Sequence, residues 1–456
     1  MKKQLSLITL LLLFSCAPLT NRAPASAQLS ETVKQLVDWE TKSNMVSTRS
    51  NEVFDMQHYE IPLSELQSDF SDNLDEATRN ALVFEKDGEN YVRWVINPED
   101  TRWHLHVKEW LDSKGIDSTP KNYLKGYLTA SRSMIAVDPE TQHSFSIKVS
   151  TNNTGGKWTD KKQTWKDAKD VRKITDFIVE TTEKMKLETL IIQDEPLGLG
   201  IEELDQGLLV RSLNDVPSGK KYYLPGFSAL HPEMGKLLAQ KNGSSDPYKY
   251  WLENYVKPTA RATAELAAYT SAYFDSPHSQ NFMIELDENM KPTGKIVLKD
   301  LADTYLIKKF IQNSTGSAIA EIWDESHLLE DMWPNSIGFL HGNSPPREWM
   351  DLDKYKGYAT EYFKVYDQRF SELTGVPLEA LKFDKDLIRL AVYSYYTKRR
   401  DTTKPEWEEY IKYAACLNGE KYTATGLECP EKYLRLHKAP ATENCINNVN
   451  AILHAQ

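Results

Sequence analysis

The sequence predicts an α+β fold of several subdomains, with a central antiparallel-rich sheet and a mainly helical C-terminal part. Three observations carry this. Short runs of strand-forming residues come in pairs joined by turn formers, at Ala81–Phe84 with Tyr91–Ile96, Leu128–Asp138 with Phe145–Thr151, and Phe282–Leu286 with Lys295–Leu298. Between and after them lie stretches with apolar residues at helical spacing, the last of them rich in tyrosine and tryptophan. The chain has 456 residues, more than one hydrophobic core usually supports, so two or three subdomains are expected.

Met1-Lys2-Lys3-Gln4 is a short basic region, and the apolar run Leu5–Phe14 behind it is too short to span a bilayer. Together they read as a secretory signal over residues 1–15. Leu13-Phe14-Ser15-Cys16 resembles a bacterial lipobox, in which a small residue precedes a cysteine that becomes the lipidated N-terminus. Ala17 is not aspartate, so this resemblance implies sorting to the outer membrane, with residues 16–30 as lipidated N-terminus and flexible tether. Ala25-Ser26-Ala27 is the competing cleavage site, which would release a soluble protein lacking Cys16. Lipidation is the adopted expectation because Cys16 stands directly at the end of the apolar run. No later stretch is long and apolar enough to span a membrane, so the expected location is the outer membrane or periplasm.

A formal charge of −11 and an aromatic content of 11% describe an acidic, aromatic-rich globular protein, and nothing in that balance suggests nucleic acid, whose binders need a basic footprint. Beyond Cys16 the cysteines are Cys416, Cys429 and Cys445, and in an exported protein they suggest one disulfide and one thiol, with the pairing open. Their spacing does not suit zinc.

Ser30-Glu31-Thr32-Val33 resembles a capping box, and Val33, Leu36 and Val37 continue as a helical stripe. Asn97-Pro98-Glu99-Asp100 starts a helix with Trp103, Val107, Trp110 and Leu111 on its apolar face; His104 and Lys108 neighbour each other on it. Asn152-Asn153-Thr154-Gly155-Gly156-Lys157 combines a glycine pair with an ammonium, a combination that lets an anion approach the backbone and is also ordinary loop chemistry. Thr164–Lys186 is a long helix, followed by a strand at Leu190–Ile192, a loop Asp194–Gly198 and a strand Gly207–Leu213. Arg211 inside that apolar strand needs a partner, either a structural carboxylate or a ligand.

Asp246–Phe274 reads as helical, with Trp251, Tyr255, Thr259, Leu266 and Tyr269 on its buried face. At Pro258 the expectation is a break or a kink. The segment leads to His278-Ser279-Gln280-Asn281 and the hairpin Phe282–Leu286 with Lys295–Leu298. One end of that hairpin gathers His278, Asn281 and Asp300, which either cap turns or hold a phosphate and its Mg²⁺. Tyr355–Thr374, Asp384–Arg400 and Pro405–Leu417 are the C-terminal helices.

Taken in order, Ser131-Arg132-Ser133, Lys148 in IKVS, Thr154-Gly155-Gly156-Lys157, Arg211 in LLVR, His278-Ser279-Gln280-Asn281 and Lys299-Asp300 resemble the IucA/IucC family of siderophore synthetases. The match covers roughly residues 100–305. The resemblance implies a nucleotide-type cleft within a central domain, 128–305, between an N-terminal subdomain, 31–127, and a helical domain, 306–456. It implies ATP and Mg²⁺ as cofactors and a small-molecule carboxylate as substrate, joined to an amine through an acyl-adenylate. By the same resemblance Arg132, Lys148 and His278 are catalytic, and Ser133, Thr154, Lys157, Arg211 and Gln280 bind the nucleotide. Asn281 and Asp300 hold the metal. Against the family pattern, Ala130 replaces serine, Ser279 replaces glycine, and Lys157 and Lys299 replace arginines, which lysine does not reproduce at bidentate phosphate sites. The family's N-terminal His-Pro-x-His-Pro segment is reduced to His104-Leu105-His106. An exported synthetase meets little ATP, so a ligase using external nucleotide stands beside two other readings. One is a binding module for a polycarboxylate or phosphorylated ligand; the other is an interaction protein with a vestigial site.

Overall fold

The computed structural model describes residues 29–45, 49–154, 160–183, 185–213, 221–270, 272–274, 278–301, 304–307, 328–329, 340, 346, 348–375 and 377–381. The signal segment, Cys16, Lys157, the helices expected after residue 383 and the three C-terminal cysteines lie outside the described residues.

Helix α1 (Glu31–Lys42) starts where the Ser30 side chain accepts from the Val33 amide at 3.3 Å. Strands β1 (Phe54–Pro62) and β2 (Gln67–Phe70) follow, then α2 (Glu76–Leu82), β3 (Val83–Lys86) and β4 (Glu89–Val95). The β3–β4 hairpin turns on Asp87 and Gly88, both left-handed at φ 54° and 82°, as a tight two-residue turn requires. Ala81 and Leu82, expected in this hairpin, instead finish α2, which Asp75 caps. Helix α3 (Trp103–Lys114) begins at Asp100, whose carboxylate accepts from the Arg102, Trp103 and His104 amides.

The run 128–138 is not one strand. Its first residue closes β5 (Lys121–Leu128), Thr129–Arg132 turn with Ser131 at φ 60°, and β6 (Ser133–Val137) returns antiparallel. The expected domain boundary at 127/128 therefore falls inside a hairpin, and the strands on either side belong to one sheet. Beyond β7 (Ser144–Val149) and helix α4 (Trp165–Glu183), β8 (Leu190–Ile192) leaves for a second sheet. Then β9 (Leu197–Ile201), expected in part as loop, and β10 (Gln206–Arg211) complete a nine-stranded antiparallel sheet in the order β2-β9-β10-β7-β6-β5-β1-β4-β3.

One core of this sheet gathers Tyr59, Trp94, Leu111, Phe145 and Leu208. Strands β9 and β10 are buried along their whole length because α4 covers their other face. Glycine permits that approach: a Cβ on Gly207 would lie 2.2 Å from the Thr164 carbonyl oxygen, a backbone atom that cannot rotate away. Gly207→Ala is accordingly expected to cost about 1–3 kcal/mol as overpacking, read as a lower urea midpoint at unchanged slope.

The second sheet runs β11 (Lys221–Pro225), β13, β14, β8, with β13 (Phe282–Asp287) and β14 (Pro292–Leu298) forming the expected hairpin and β8 parallel to β14. Short helices α5 (Gly226–Ala229), α6 (Pro232–Lys241) and α7 (Pro247–Trp251) precede α8 (Lys257–Thr270). Trp251, Tyr255, Thr259, Leu266 and Tyr269 are all buried, as their spacing predicts. Pro258 does not break the helix. A π-helical turn, Leu252–Val256, precedes it and absorbs the ladder bond that proline cannot make. Helix α9 (Leu352–Thr374), also expected, lays Tyr355, Tyr358, Tyr362 and Phe363 into the same core, and α10 (Leu378–Leu381) follows. A third small sheet joins β12 (Ala272–Phe274), β15 (Thr304–Ile307) and β16 (Leu328–Leu329). No helix among the described residues is long and apolar enough to cross a membrane.

The two larger sheets meet beneath α1. Val33, Leu36 and Val37 pack with Ile135 and Val137 of β6 and with Tyr223, Met283 and Val297 of β11, β13 and β14. That junction positions the candidate site.

Candidate functional site

Strand register builds one wall of the site. Ser133, Lys148 and Leu209 stand opposite one another across β6, β7 and β10, and Ile135, Ser146 and Arg211 form the next row. Alternation along a strand places both rows on one face. The other wall comes from the hairpin, where the Lys299 amide donates to the Asn281 carbonyl at 3.0 Å, so Asn281 and Lys299-Asp300 share one end. Asp300 turns back at φ 62°, a left-handed conformation that aspartate tolerates better than most residues.

The charges interlock. Lys148 Nζ donates to Asp300 Oδ1 at 2.8 Å, and Arg211 Nη2 lies 3.5 Å from the same oxygen. Arg211 Nε donates to Glu195 Oε1 at 3.0 Å, a carboxylate fully shielded from water. Lys299 Nζ donates to Glu40 Oε1 of α1 at 2.7 Å. Burial alone would raise the Asp300 carboxyl, but Lys148, then Arg211 and the more distant Arg132, hold it well below the usual carboxylate range. Burial would likewise lower Arg211, and Glu195 and Asp300 outweigh it, raising the guanidinium above its ordinary value. Arg211 therefore has a structural partner and still reaches the site.

Ser133, Arg211, Gln280, Asn281 and Asp300 all line a cavity of about 30 Å³, together with Glu40 and Lys299 of the α1 ion pair. Lys148 joins them through Asp300. Arg132 donates from Nη1 to the Lys162 carbonyl at 2.6 Å, next to the turn rather than in the cavity wall. His278 organises its own turn: Nδ1 accepts from the Gln280 amide at 3.2 Å and its carbonyl accepts from the Asn281 amide at 2.8 Å. Thr154 is buried but does not line this cavity.

Asp300, expected with Asn281 at the metal, is already paired with protein cations. Mg²⁺ is usually held by one or two free carboxylates plus phosphate oxygens, whereas Asp300 carries an ammonium at 2.8 Å and a guanidinium beside it. Among the described residues no group of three or more His, Cys, Asp or Glu side chains is placed to hold a metal.

The sequence left three contributors unnoticed. Glu40 continues the α1 stripe, four residues after Leu36 and three after Val37, and an acid on an apolar face is a legible signal of a buried partner. Glu195 and Gln193 sit in the loop after β8, where nothing local marks them. Arg49 is a fourth, more distant case: its side chain is 2% exposed, pairs with Glu99 at 2.9 Å and donates to the Ser131 carbonyl at 3.4 Å, which pins the turn carrying Arg132 and Ser133.

No family model and no curated protein matches the chain. Solved structures do. The chain is similar to aerobactin synthetase IucC of a hypervirulent pathotype of Klebsiella pneumoniae, at 12% identity and a TM-score of 0.45 over 80% of this chain and 66% of that one. It is similar to the petrobactin biosynthesis protein AsbB of Bacillus anthracis str. Sterne, at 13% identity and a TM-score of 0.47 over 80% and 63%. A third match is the ATP-bound aerobactin synthetase IucA of the same Klebsiella pathotype, at 14% identity and a TM-score of 0.40 over 79% and 64%. These are siderophore synthetases, the enzymes whose motif order this sequence resembles. The chain spans just under two thirds of the length of the structures it matches.

Proposed function

We propose that the junction of the two sheets is the nucleotide cleft of an ATP-dependent ligase that activates a small carboxylic acid as its acyl-adenylate and passes it to an amine. The observation that carries this is the convergence of five motif segments, separated by up to 167 residues in the chain (133 to 300), onto Ser133, Lys148, Arg211, Asn281 and Asp300 around one cavity. In this reading a carboxylate oxygen attacks the α-phosphorus and pyrophosphate leaves. The amine nitrogen then attacks the acyl carbon, AMP leaves with the oxygen it gained, and the nitrogen's proton goes to solvent. The chain's part is to position and to neutralise. Lys148 and Arg211 face the phosphate charge, with Arg132 and Ser133 at the turn beside them, and preorganised cations in a water-poor cleft are worth more there than in bulk water. His278 holds the Gln280–Asn281 turn toward the phosphates. By the motif order alone, Thr154 and Lys157 would be further nucleotide contacts; Lys157 lies outside the described residues. Mg²⁺, if bound, would supply charge neutralisation, and Asn281 together with an Asp300 released from Lys148 and Arg211 would be the protein groups to hold it.

A cavity of about 30 Å³ does not admit a nucleotide as it stands. Entry requires Lys148 and Arg211 to exchange Asp300 for phosphate oxygens. The same internal pairing supports a second reading, a binding module in which a small polycarboxylate displaces these partners without chemistry.

Calorimetric titration of the purified chain with ATP, with and without Mg²⁺, and with citrate separates the two. ATP is expected to bind, and Lys148→Met to weaken it about tenfold or more, the loss of one charge-assisted contact of at least about 1.4 kcal/mol. Citrate binding with no ATP binding at millimolar concentration would sink the ligase reading in favour of the module. The proposal includes a lipid anchor at Cys16 and an outer-membrane location, with nucleotide supplied from outside the cytoplasm. Metabolic labelling with a radioactive fatty acid is expected to mark the wild type and not Cys16→Ser.

A further inference from the structure

Asp300 Oδ1 holds the position that the proposed function gives to a phosphate oxygen. It lies 2.8 Å from Lys148 Nζ and 3.5 Å from Arg211 Nη2, and an anionic oxygen between an ammonium and a guanidinium is the contact a phosphate would make there. The three partners are not equally fixed. Lys148 stands in the interior of the nine-stranded sheet, opposite Ser133 of β6 and Leu209 of β10, with a side chain 10% exposed. Arg211 is tied from behind, its Nε donating to the fully buried Glu195 at 3.0 Å. Asp300 lies two residues beyond the end of β14, and its side chain is 25% exposed. Its backbone, at φ 62°, is in the left-handed region that a residue with a Cβ occupies at a cost, so the contacts of its carboxylate hold it there. The carboxylate is therefore the partner free to turn out into water, while the two cations stay in the cleft.

We propose that Asp300 is an autoinhibitory latch, an internal anion that occupies Lys148 and Arg211 and keeps the cleft shut until a phosphate chain displaces it. A site whose competent state is only partly populated binds with an affinity reduced by that fraction, so the latch subtracts from affinity in the wild type and its removal returns what it subtracts. Asp300 then has two opposed effects: it supports the closed fold through its ion pairs and it competes with the ligand for the same cations. A residue that only helped to bind phosphate would lose affinity on neutralisation; the latch predicts a gain. The latch regulates the site of the proposed function and rests on that reading for the phosphate character of the ligand, but its test needs neither ATP nor catalysis.

The probe is pyrophosphate in metal-free buffer at neutral pH, titrated calorimetrically against the purified chain, with ATP titrated separately into the same preparations. Asp300→Asn is expected to bind pyrophosphate about tenfold or more tighter than the wild type. Asp300→Gly is expected to shift it in the same direction, and it keeps the test alive where the asparagine variant does not fold, since glycine takes φ 62° without steric cost. In a Lys148→Met background the Asp300→Asn step is expected to gain less than about threefold, because the latch has lost its nearer cation. Pyrophosphate affinity unchanged or weakened in the folded Asp300 variants, or no saturable binding by any of the proteins, would overturn the latch. An equal gain with and without Lys148 would overturn it too, since the effect would then be one of net charge. If ATP binds the wild type and neither Asp300 variant tightens pyrophosphate, the latch falls and the ligase reading stands. If the variants tighten pyrophosphate and none of the proteins binds ATP, the latch stands and the ligase reading falls.

Discussion

Asp300→Asn is expected to lower the free energy of unfolding by about 3 kcal/mol, the lower part of the range for removing one partner of a buried ion pair. Lys148 and Arg211 have side chains only 10% and 6% exposed, and the substitution leaves both facing a neutral amide. Two features keep the cost from the top of the range: Arg211 retains Glu195, and Asp300 is itself a quarter exposed. The same variant has a diagnostic pH dependence. A carboxyl held below its unfolded value contributes stability that is fully present above that value, about 3.9, and is lost as the pH falls through it toward the folded value. Wild type should therefore lose stability on acidification below about pH 4, and Asp300→Asn should lose less over the same interval. Urea unfolding at pH 7 and at pH 3.5 measures both. Equal acid sensitivity of the two proteins would show that the carboxylate does not support the fold.

Glu265→Ala is expected to be at least as damaging, about 3–5 kcal/mol. Glu265 is wholly shielded on α8, its Oε2 accepts from the Thr189 and Leu190 amides at 3.0 and 2.9 Å, and its Oε1 accepts from Arg369 Nη2 of α9 at 3.0 Å. Removing it leaves two backbone donors without their acceptor at the start of β8, together with a guanidinium 10% exposed that keeps only the more exposed Glu188 and Glu372. Strand β8 pairs with β14, and Gln193 and Asp300 follow those two strands directly, so the loss should also loosen the site. Glu265→Gln keeps an acceptor oxygen and should fall between wild type and alanine. Hydrogen exchange at Thr189 and Leu190 reads the local effect: the expected result is faster exchange there in Glu265→Ala, and unchanged exchange would contradict the role given to this carboxylate.

Much of the hairpin and helix pattern was legible because it is local. Phe282–Leu286 and Lys295–Leu298 flank a run of turn formers, and the structure pairs Phe282 with Leu298, with Pro292 and Gly294 taken into β14 and the turn itself confined to Asp287–Lys291. The α4 and α9 stripes were equally plain. The turn at Thr129–Arg132 was not, because no glycine or proline announces it and Ser131 takes the left-handed conformation instead. The first two residues of β9, Leu197 and Gly198, were read as loop, whereas Gly198 and Gly200 let α4 lie against the strand. At the site, the Lys148–Asp300 contact spans 152 residues, and no local rule joins them. Only the order of short motifs brought the two together. That order said nothing of Glu40 or Glu195, whose roles exist only once α1 and the loop after β8 have packed against the sheets.

The central claim is that this cleft activates a carboxylate with ATP, and ATP–pyrophosphate exchange tests it most directly. Purified protein supplied with ATP, Mg²⁺, labelled pyrophosphate and citrate or a related polycarboxylic acid is expected to return label to ATP only when the acid is present, and Lys148→Met is expected to suppress this. Exchange that is absent with every polycarboxylate tried, while the protein is folded and binds the acids themselves, would contradict the account.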